Sequence, residues 1–555
     1  MNGMGEEREK RKEESSHAAE PSSFLVPPSS FLSENAHDLG QQVVDLIGIP
    51  KDHWELAAQL EVMGIRDADA RSDYGARDVF DLAARIYADF QNGRLRWVIE
   101  PEDPESVAPL RRFAKNYLTG LTFSLPMALQ AVTMVVWGYG VWGAIDMDLR
   151  IGSAIALGFI ASYVVTGGFM QTIVRRGLFY LYQEEPWLAR WTALRAWSLA
   201  LRVTLALLLP ALAVNALFSI LPWSIVLTAS AYYVALSILW LNWALLYLVR
   251  KTWMFLLTTA VALAVVLFAA KVLGASPIVA NAVGLIVADA LSFGLALWNL
   301  NDVGRASARR GVINPPRLTV LVYSTSKFFL YGLLYNSFLF ADRVIAWTSS
   351  TGREDFPPYG FWLNVRYELG MDLALVVVML LSGIVEHATQ RFSEQLIPRE
   401  KRVKSVDAAR FVEMSRAEHR RRAITLAGAS IAAAAAAVAV NFALREMPSL
   451  PIHQALLTAT TTRVFVVATI AYVIFMFALQ NILMLLTLSR VEPVVRAVAI
   501  ALAANVAVGF VCSRAIHYSA AVFGLLTGAI TLAFLTSRAI RAVLGELDYH
   551  YYAAY

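Results

Sequence analysis

The sequence predicts an all-α polytopic membrane protein, with about twelve transmembrane helices in two six-helix lobes that follow a small cytoplasmic helical module. Hydrophobic residues make up 57% of the 555 residues, and charged residues only 16%. The mean hydropathy of +0.52 exceeds that of soluble globular chains. From about residue 115 onward, apolar runs recur that are long enough to cross about 30 Å of hydrocarbon as helices.

The residues before these runs have a different composition. Residues 1–36 begin with mixed charge and continue with Ser and Pro, which predicts a disordered tail rather than a signal peptide. Residues 37–114 have the composition of a soluble domain, and Asp78 is placed to cap a helix that carries Val79 and Leu82. We interpret 37–114 as a cytoplasmic helical module, which either stabilises the chain or docks a cytoplasmic partner.

Twelve apolar segments follow the module and divide into two sets of six. A basic, Pro-rich linker at 301–318 separates a first lobe (115–300) from a second lobe (319–545), and residues 546–555 form a C-terminal tail. Transporters are often built from such paired halves. The segments lie near 115–145, 151–173, 196–221, 223–249, 252–273, 277–300, 319–347, 367–389, 423–444, 464–488, 493–514 and 517–540.

The charges of the loops predict the orientation. Lys and Arg are concentrated in alternate loops, and the loop at 390–422 is the most basic. By the positive-inside rule, this predicts a multi-pass protein of the bacterial cell (inner) membrane with both termini cytoplasmic. In the linker, Arg305, Arg309 and Arg310 could bind anionic lipid headgroups, hold a polyanionic substrate where it enters, or act only as topology signals.

Segment seven carries a polar and aromatic face. On a helix that turns about 100° per residue, six of its side chains fall within a stripe about 80° wide. They are Ser324, Lys327, Tyr331, Tyr335, Phe338 and Asp342. A lysine is costly at membrane depth unless it faces protein or water, so we predict that Lys327, Tyr331, Tyr335 and Asp342 line a substrate cavity.

Asp342 is followed directly by Arg343. Consecutive helix residues diverge by about 100°, so we expect Arg343 to turn away from the cavity, towards a neighbouring helix or the outer headgroups. We also expect loss of Asp342 to harm transport more than loss of Arg343. The alternative is that both residues simply lie in the outer headgroup layer.

Segment one supplies a matching face. Thr122, Pro126, Gln130, Thr133 and Trp137 again share a stripe about 80° wide. Segments one and seven lead the two halves, so we predict that Gln130, Thr133 and Trp137 line the same central cavity. Aromatic rings beside hydroxyls and amides suit sugars, whose C–H faces stack on rings and whose hydroxyls need hydrogen-bond partners.

Few other polar groups fall within the segments. Asp289 lies midway along segment six and is, with Asp342, a candidate for proton or ion coupling; it could also balance the charge of Lys327. Asp372 and Glu386 share a face of segment eight, but 14 residues of helix place them about 21 Å apart. They cannot form a catalytic carboxylate pair.

Signatures of enzymes are scarce. The chain has no Walker A sequence, and its single cysteine, Cys512, excludes an internal disulfide and a Cys-based zinc cluster. We therefore expect no enzyme, no cofactor, no metal and no nucleic-acid partner. The acidic pair Asp146 and Asp148, in the first outer loop, resembles that of membrane glycosyltransferases that use lipid-linked sugars, and this alternative stays open.

Two stretches on this twelve-helix frame, VVTGGFMQTIVRRGLFYLY at 164–182 and LFADRVIAW at 339–347, resemble the Pel-type exopolysaccharide transporters. These belong to the multidrug/oligosaccharidyl-lipid/polysaccharide (MOP) exporter superfamily, and the resemblance covers about residues 115–545. It implies two six-helix lobes around a central cavity, alternating access and export of a polysaccharide or a lipid-linked precursor. It also implies cytoplasmic glycosyltransferases and other synthesis proteins as partners.

The function predicted from the sequence is export of an exopolysaccharide, or flipping of a lipid-linked glycan precursor, across the inner membrane. The expected partners are membrane lipids, the glycan or lipid-linked glycan substrate and the synthesis proteins. Three alternatives remain: a drug or small-cation antiporter of the same superfamily, a membrane glycosyltransferase, and a non-transporting scaffold for a synthesis complex.

Overall fold

A computed structural model of the chain describes residues 34–96, 109–145, 147–183, 185–305, 317–353, 356–357, 360–402 and 408–547. The chain forms two compact units. One holds Met1–Glu105 with Pro398–Ala408, and the other holds Ser106–Ile397 with Ala409–Tyr555. Most of the predicted tail, linker and C-terminal tail lies outside the described residues.

Within residues 34–96, the first unit contains four short helices around a small apolar core. They are α1 (Glu34–Ile47), α2 (His53–Val62), α3 (Asp67–Ser72) and α4 (Val79–Gln91). The predicted cap is confirmed, because the side chain of Asp78 accepts a hydrogen bond from the backbone N–H of Asp81 at the start of α4. Leu56, Leu60 and Leu82 are fully buried in the core. A core of this kind indicates a packed helical module.

The second unit contains thirteen α-helices in its described part, together with a short 3₁₀-helix at Tyr518–Ala521. They are α5 (Pro109–Trp137), α6 (Leu149–Tyr182), α7 (Pro186–Phe218), α8 (Trp223–Leu248), α9 (Trp253–Lys271), α10 (Pro277–Arg305), α11 (Leu318–Trp347), α12 (Val365–Arg402), α13 (Ala408–Arg445), α14 (His453–Leu456), α15 (Ala459–Thr487), α16 (Val491–Ala515) and α17 (Val522–Val543). All except α14 are long and apolar enough to cross a membrane. The predicted all-α polytopic class is confirmed.

The first membrane helix is shorter than predicted. Segment one was expected to run to residue 145, but α5 ends at Trp137 because Gly138 adopts a positive φ of 81°. A single bridge between Tyr139 and Ala144 then closes a tight loop before α6. The loop removes the last eight predicted residues from segment one.

Each lobe buries large apolar side chains. In the first lobe (α5–α10), Leu236 and Trp240 of α8 are almost inaccessible to solvent. In the second lobe (α11–α17), Phe338 of α11 stacks on Phe475 of α15 with ring centroids 6.0 Å apart. Rings of this size contribute a large share of the apolar area that each lobe buries.

The lobes meet first where α6 crosses α11. A Cβ added at Gly332 would overlap the carbonyl oxygen of Gly167, so the two backbones are in direct contact. Asn336 of α11 donates from Nδ2 to the carbonyl oxygen of Tyr163 at 2.8 Å. Closer to the start of α11, Phe329 packs edge-on against Phe169, with ring centroids 4.9 Å apart. This side of α11 is therefore the one that faces the first lobe.

The lobes meet again where α5 crosses α12. A Cβ at Gly120 would lie 2.7 Å from the Cα of Gly383, and the hydroxyl oxygens of Ser124 and Ser382 are 3.4 Å apart. Gly120 lies in the half of α5 that is nearer its start, on the predicted cytoplasmic side, and Ser124 lies at the middle of the helix. In the other half, Leu363 donates its backbone N–H to the Ser153 hydroxyl at 3.0 Å.

Candidate functional site

A buried cluster of charged residues joins the end of α11 to the start of α12. Asp342 is fully buried, and its Oδ2 accepts a hydrogen bond of 2.6 Å from the Tyr367 hydroxyl. Arg343 donates from Nη1 to Oε2 of Glu368 at 2.5 Å and from Nη2 to Oδ1 of Asp372 at 3.2 Å. We call these five residues the acidic cluster. It holds three carboxyl groups and one guanidinium.

The local sequence explains how the cluster forms. Because consecutive helix residues diverge by about 100°, Asp342 and Arg343 reach different partners on α12. Glu368 and Asp372 are one turn apart near the start of that helix, so both carboxylates can face one guanidinium. Trp347, one turn beyond Arg343, donates from Nε1 to Oε1 of Glu368 at 2.8 Å and fixes its orientation.

Two atoms of the cluster remain unsatisfied. Oδ1 of Asp342 and Nε of Arg343 are buried without a hydrogen-bond partner among the described residues. A buried carboxylate oxygen normally has a partner, so a position beside Oδ1 is suited to a proton, a water molecule or a small cation.

One carboxylate of the cluster is accessible. The side chain of Asp372 is 57% exposed, whereas that of Glu368 is 15% exposed. Charged groups within a membrane span face protein or water rather than lipid, so the exposed face of Asp372 indicates a hydrated opening. The cluster thus connects a buried carboxylate to an accessible one through Arg343.

Sequence reasoning missed Tyr367 and Glu368 and gave Asp372 no role. The signal that could have found them is the spacing of Glu368 and Asp372, one turn apart at the start of segment eight. Segment eight follows segment seven in the antiparallel direction, so its start lies beside Asp342 and Arg343. Arg343 turns to this neighbouring helix.

The tyrosines of the predicted cavity lie within the second lobe. Tyr331 is 3% exposed, and its ring lies 5.6 Å from that of Tyr335, which in turn contacts Phe475 of α15. Tyr331 is therefore buried in the second lobe, while Gly332 and Asn336 of α11 meet the first lobe. Tyr335 is only partly buried. A role of Tyr331 and Tyr335 in lining a substrate cavity stays a prediction.

Lys327 also lies elsewhere than expected. It forms an ion pair with Glu492, in the first turn of α16, instead of balancing Asp289. Its side chain is 62% exposed and lines a separate cavity at the end of the second lobe where α11 begins. The reason is geometric, since α16 begins beside α11 and places a carboxylate within direct reach of the lysine.

The residues predicted on α5 make their hydrogen bonds locally. Gln130 accepts from the backbone N–H of Val141 at 3.2 Å and so closes the loop that follows the helix. The hydroxyl of Thr133 donates to the carbonyl oxygen of Gln130, and this threonine is 3% exposed. Trp137 is half exposed at the end of the helix. The structure thus does not join Gln130 or Thr133 to the stripe of α11.

Asp289 lies on α10, in the first lobe and apart from the acidic cluster. Its Oδ1 is buried without a partner among the described residues, and its backbone oxygen accepts from Asn242 at 3.2 Å. It remains a candidate for coupling. Arg309 and Arg310, like Asp146, lie outside the described residues, and so does the side chain of Arg305.

Replacing Arg343 should clearly lower the free energy of unfolding, an effect that the sequence alone does not predict. Arg343→Gln leaves Glu368 buried without its cation, and breaking a buried ion pair in this way costs about 3–5 kcal/mol. We expect a clearly lower melting temperature in detergent and a lower yield of folded protein. In the control Arg343→Gln/Glu368→Gln, which removes both charges, much of this loss should be recovered. Equal melting temperatures for Arg343→Gln and the unmodified chain would contradict the pairing.

Solved structures share this architecture. A Vibrio cholerae MATE transporter aligns with a TM-score of 0.57 at 13% identity, over 80% of this chain and 98% of that chain. A MOP superfamily transporter from Pyrococcus furiosus aligns with a TM-score of 0.56 at 13% identity, over 79% and 96%. A multidrug resistance MATE family transporter, in an outward-facing conformation, aligns with a TM-score of 0.53 at 12% identity, over 79% and 96%.

No protein-family model matches the sequence, and no curated protein does either. The resemblance to Pel-type transporters therefore stays a prediction. At 12–13% identity, the solved structures establish the architecture alone. This chain has the fold of the MATE transporters of the MOP superfamily.

Proposed function

We propose that the chain is a secondary transporter of the drug or small-cation antiporter class, in which protons or monovalent cations bind at the acidic cluster. The buried, half-satisfied carboxylate of Asp342 is the observation that carries this proposal. Asp342 and Glu368 lose hydration energy on burial, and the one guanidinium of the cluster pairs with Glu368 and Asp372 rather than with Asp342. A bound proton or cation would lower that cost and so would favour one state of the transporter over another.

The contacts between the lobes support alternating access. Gly120 and Gly383 bring α5 and α12 together in the half where α5 begins, while Asp372 is exposed in the other half. A transporter that opens to one side at a time needs such a contact to form and to break. On the predicted topology, the closed side is cytoplasmic.

Aromatic side chains between the lobes support an organic substrate. The ring of Phe340 on α11 lies edge-on to Phe159 and Tyr163 of α6, with both centroid distances at 5.7 Å. Aromatic faces attract organic cations as well as flat apolar groups. The solved structure described as a multidrug resistance transporter has the same fold, which makes this substrate class the leading one.

Polysaccharide or lipid-linked glycan export is the second candidate. The observation that favours it is the resemblance at 164–182 and 339–347 to Pel-type transporters. Those stretches contain Gly167, which contacts α11, and Asp342 and Arg343 of the acidic cluster. The two stretches therefore contain the contact between the lobes and the charged residues of the acidic cluster. An antiporter would need both features as well, so the resemblance does not by itself favour glycan export over antiport.

The experiment reconstitutes the full chain in liposomes and imposes a proton or sodium gradient. We expect uptake of tetraphenylphosphonium, an organic cation, that depends on one of the two gradients and collapses with its ionophore. Empty liposomes are the control. No gradient-driven uptake, combined with loss of surface polysaccharide in a deletion strain, would reject the antiporter and favour the second candidate.

We propose the inner-membrane orientation with both termini in the cytoplasm on the charge pattern of the loops. The loop at 390–422 tests it, because no other loop is as basic. In a Cys512→Ala background, Ser405→Cys should resist a membrane-impermeant maleimide in intact cells and react after lysis. Efficient labelling of Ser405→Cys in intact cells would show that the orientation is the opposite one.

A further inference from the structure

A second charged site lies in the second lobe, away from the acidic cluster. It is a cavity of about 930 Å³ between α11, the start of α16 and the end of α17. Four basic residues and one acidic residue are among its described lining: Lys327, Arg490, Arg496, Arg538 and Glu492. The volume is within the usual range of about 300–1,000 Å³ for small-molecule sites.

Glu492, the one acidic residue of the described lining, interacts with two of the basic residues. Glu492 pairs with Lys327 and also lies 3.6 Å from the guanidinium of Arg496. Because these partners are more than half exposed, each pair contributes little to stability. Among the described lining residues, Lys327, Arg496 and Arg538 thus outnumber the one carboxylate, and this part of the cavity has an excess of positive charge.

The cavity changes character with depth. Ile500 follows Arg496 by one turn of α16, and Leu535 precedes Arg538 by one turn of α17. Since α16 begins and α17 ends at this end of the bundle, both apolar residues lie deeper in the membrane than the arginines, by about 4.5–6 Å. The lining is therefore basic at the membrane surface and apolar below it.

We propose that this cavity binds the phosphate headgroup of an anionic phospholipid, with part of an acyl chain along Ile500 and Leu535. Arginine guanidinium groups match phosphate oxygens, and basic pockets between membrane helices on the cytoplasmic side suit anionic headgroups. A soluble anion would use the arginines but not the deeper apolar wall, and this favours a lipid. On the predicted topology, the lipid comes from the inner leaflet. The inference does not depend on what the chain transports.

The first arm of the test compares ligands on the purified full chain in detergent. We expect dioleoyl phosphatidylglycerol to raise the melting temperature by several degrees more than dioleoyl phosphatidylcholine, because a ligand stabilises the state that it binds. Inorganic phosphate at the same molar concentration should give no shift. Equal shifts from both lipids would overturn the proposal, and a full shift from phosphate alone would assign the site to a soluble anion.

The second arm locates the site. Arg496→Gln/Arg538→Gln should weaken binding of phosphatidylglycerol at least tenfold by native mass spectrometry, whereas Arg496→Lys/Arg538→Lys should keep most of it. The matched control is Arg317→Gln/Arg541→Gln, which removes two exposed arginines near this end of α11 and α17 that do not line the cavity. If Arg317→Gln/Arg541→Gln weakened lipid binding as much as Arg496→Gln/Arg538→Gln, the lipid could not be assigned to this cavity.

Discussion

Asp342→Asn should reduce transport to the level of empty liposomes while the protein remains folded. Asparagine has nearly the same shape, and its side-chain oxygen can still accept the hydrogen bond from Tyr367 that Asp342 accepts at 2.6 Å. What it cannot do is bind a proton or neutralise a cation at the position beside Oδ1, which the described residues leave without a partner. The measurement is gradient-driven uptake by the purified variant in liposomes.

Tyr367→Phe is the control for this prediction. It removes a hydrogen bond to a buried charged group, worth about 1.5–3 kcal/mol, but leaves the carboxyl group in place. We expect it to lower stability and to keep transport measurable. Full transport by Asp342→Asn, or a collapse of its protein level, would mean that Asp342 holds α11 to α12 and has no part in coupling.

A disulfide between α5 and α12 should stop transport completely. The hydroxyl oxygens of Ser124 and Ser382 are 3.4 Å apart, so cysteines at both positions are close enough to bridge after small adjustments. Alternating access requires these helices to separate, and the covalent bond would hold the lobes in the state described. Oxidised Ser124→Cys/Ser382→Cys, in a Cys512→Ala background, should show no uptake.

Reduction supplies the internal control for the disulfide. Dithiothreitol should restore most of the uptake, and each single cysteine variant should respond to neither oxidant nor reductant. Mass spectrometry confirms that the bond has formed. Uptake that continues at full rate with the bond intact would show that α5 and α12 need not separate at this point, and alternating access between the lobes would be rejected.

The number and type of helices could be predicted from the sequence because hydrophobic length is a local property. Twelve apolar runs gave twelve long helices, and the helical cap at Asp78 follows from the residues beside it. The end of α5 could not be predicted, since Gly138 turns the chain within an apolar run.

The partners of the polar residues depend on packing between helices, which no single segment reveals. The periodicity of segment seven correctly set Asp342 and Arg343 on different faces, but it could not decide which face meets the other lobe. That choice follows from the backbone contact of Gly332 with Gly167 and from the side chain of Asn336. Lys327 was assigned to the wrong surroundings for the same reason, because Glu492 lies 165 residues away along the chain.

Where Gly167 meets Gly332, two helix backbones touch, and the side chains of Asn336 and Gln171 pack around the contact. Close-packed side chains must leave their preferred rotamers before one helix can slide on another, and they resist small displacements. Asn336 also holds the carbonyl oxygen of Tyr163 by a hydrogen bond of 2.8 Å. Sliding of α6 along α11 would break these contacts, whereas a tilt of the lobes about the glycine contact would keep them. The crossing can therefore act as a pivot.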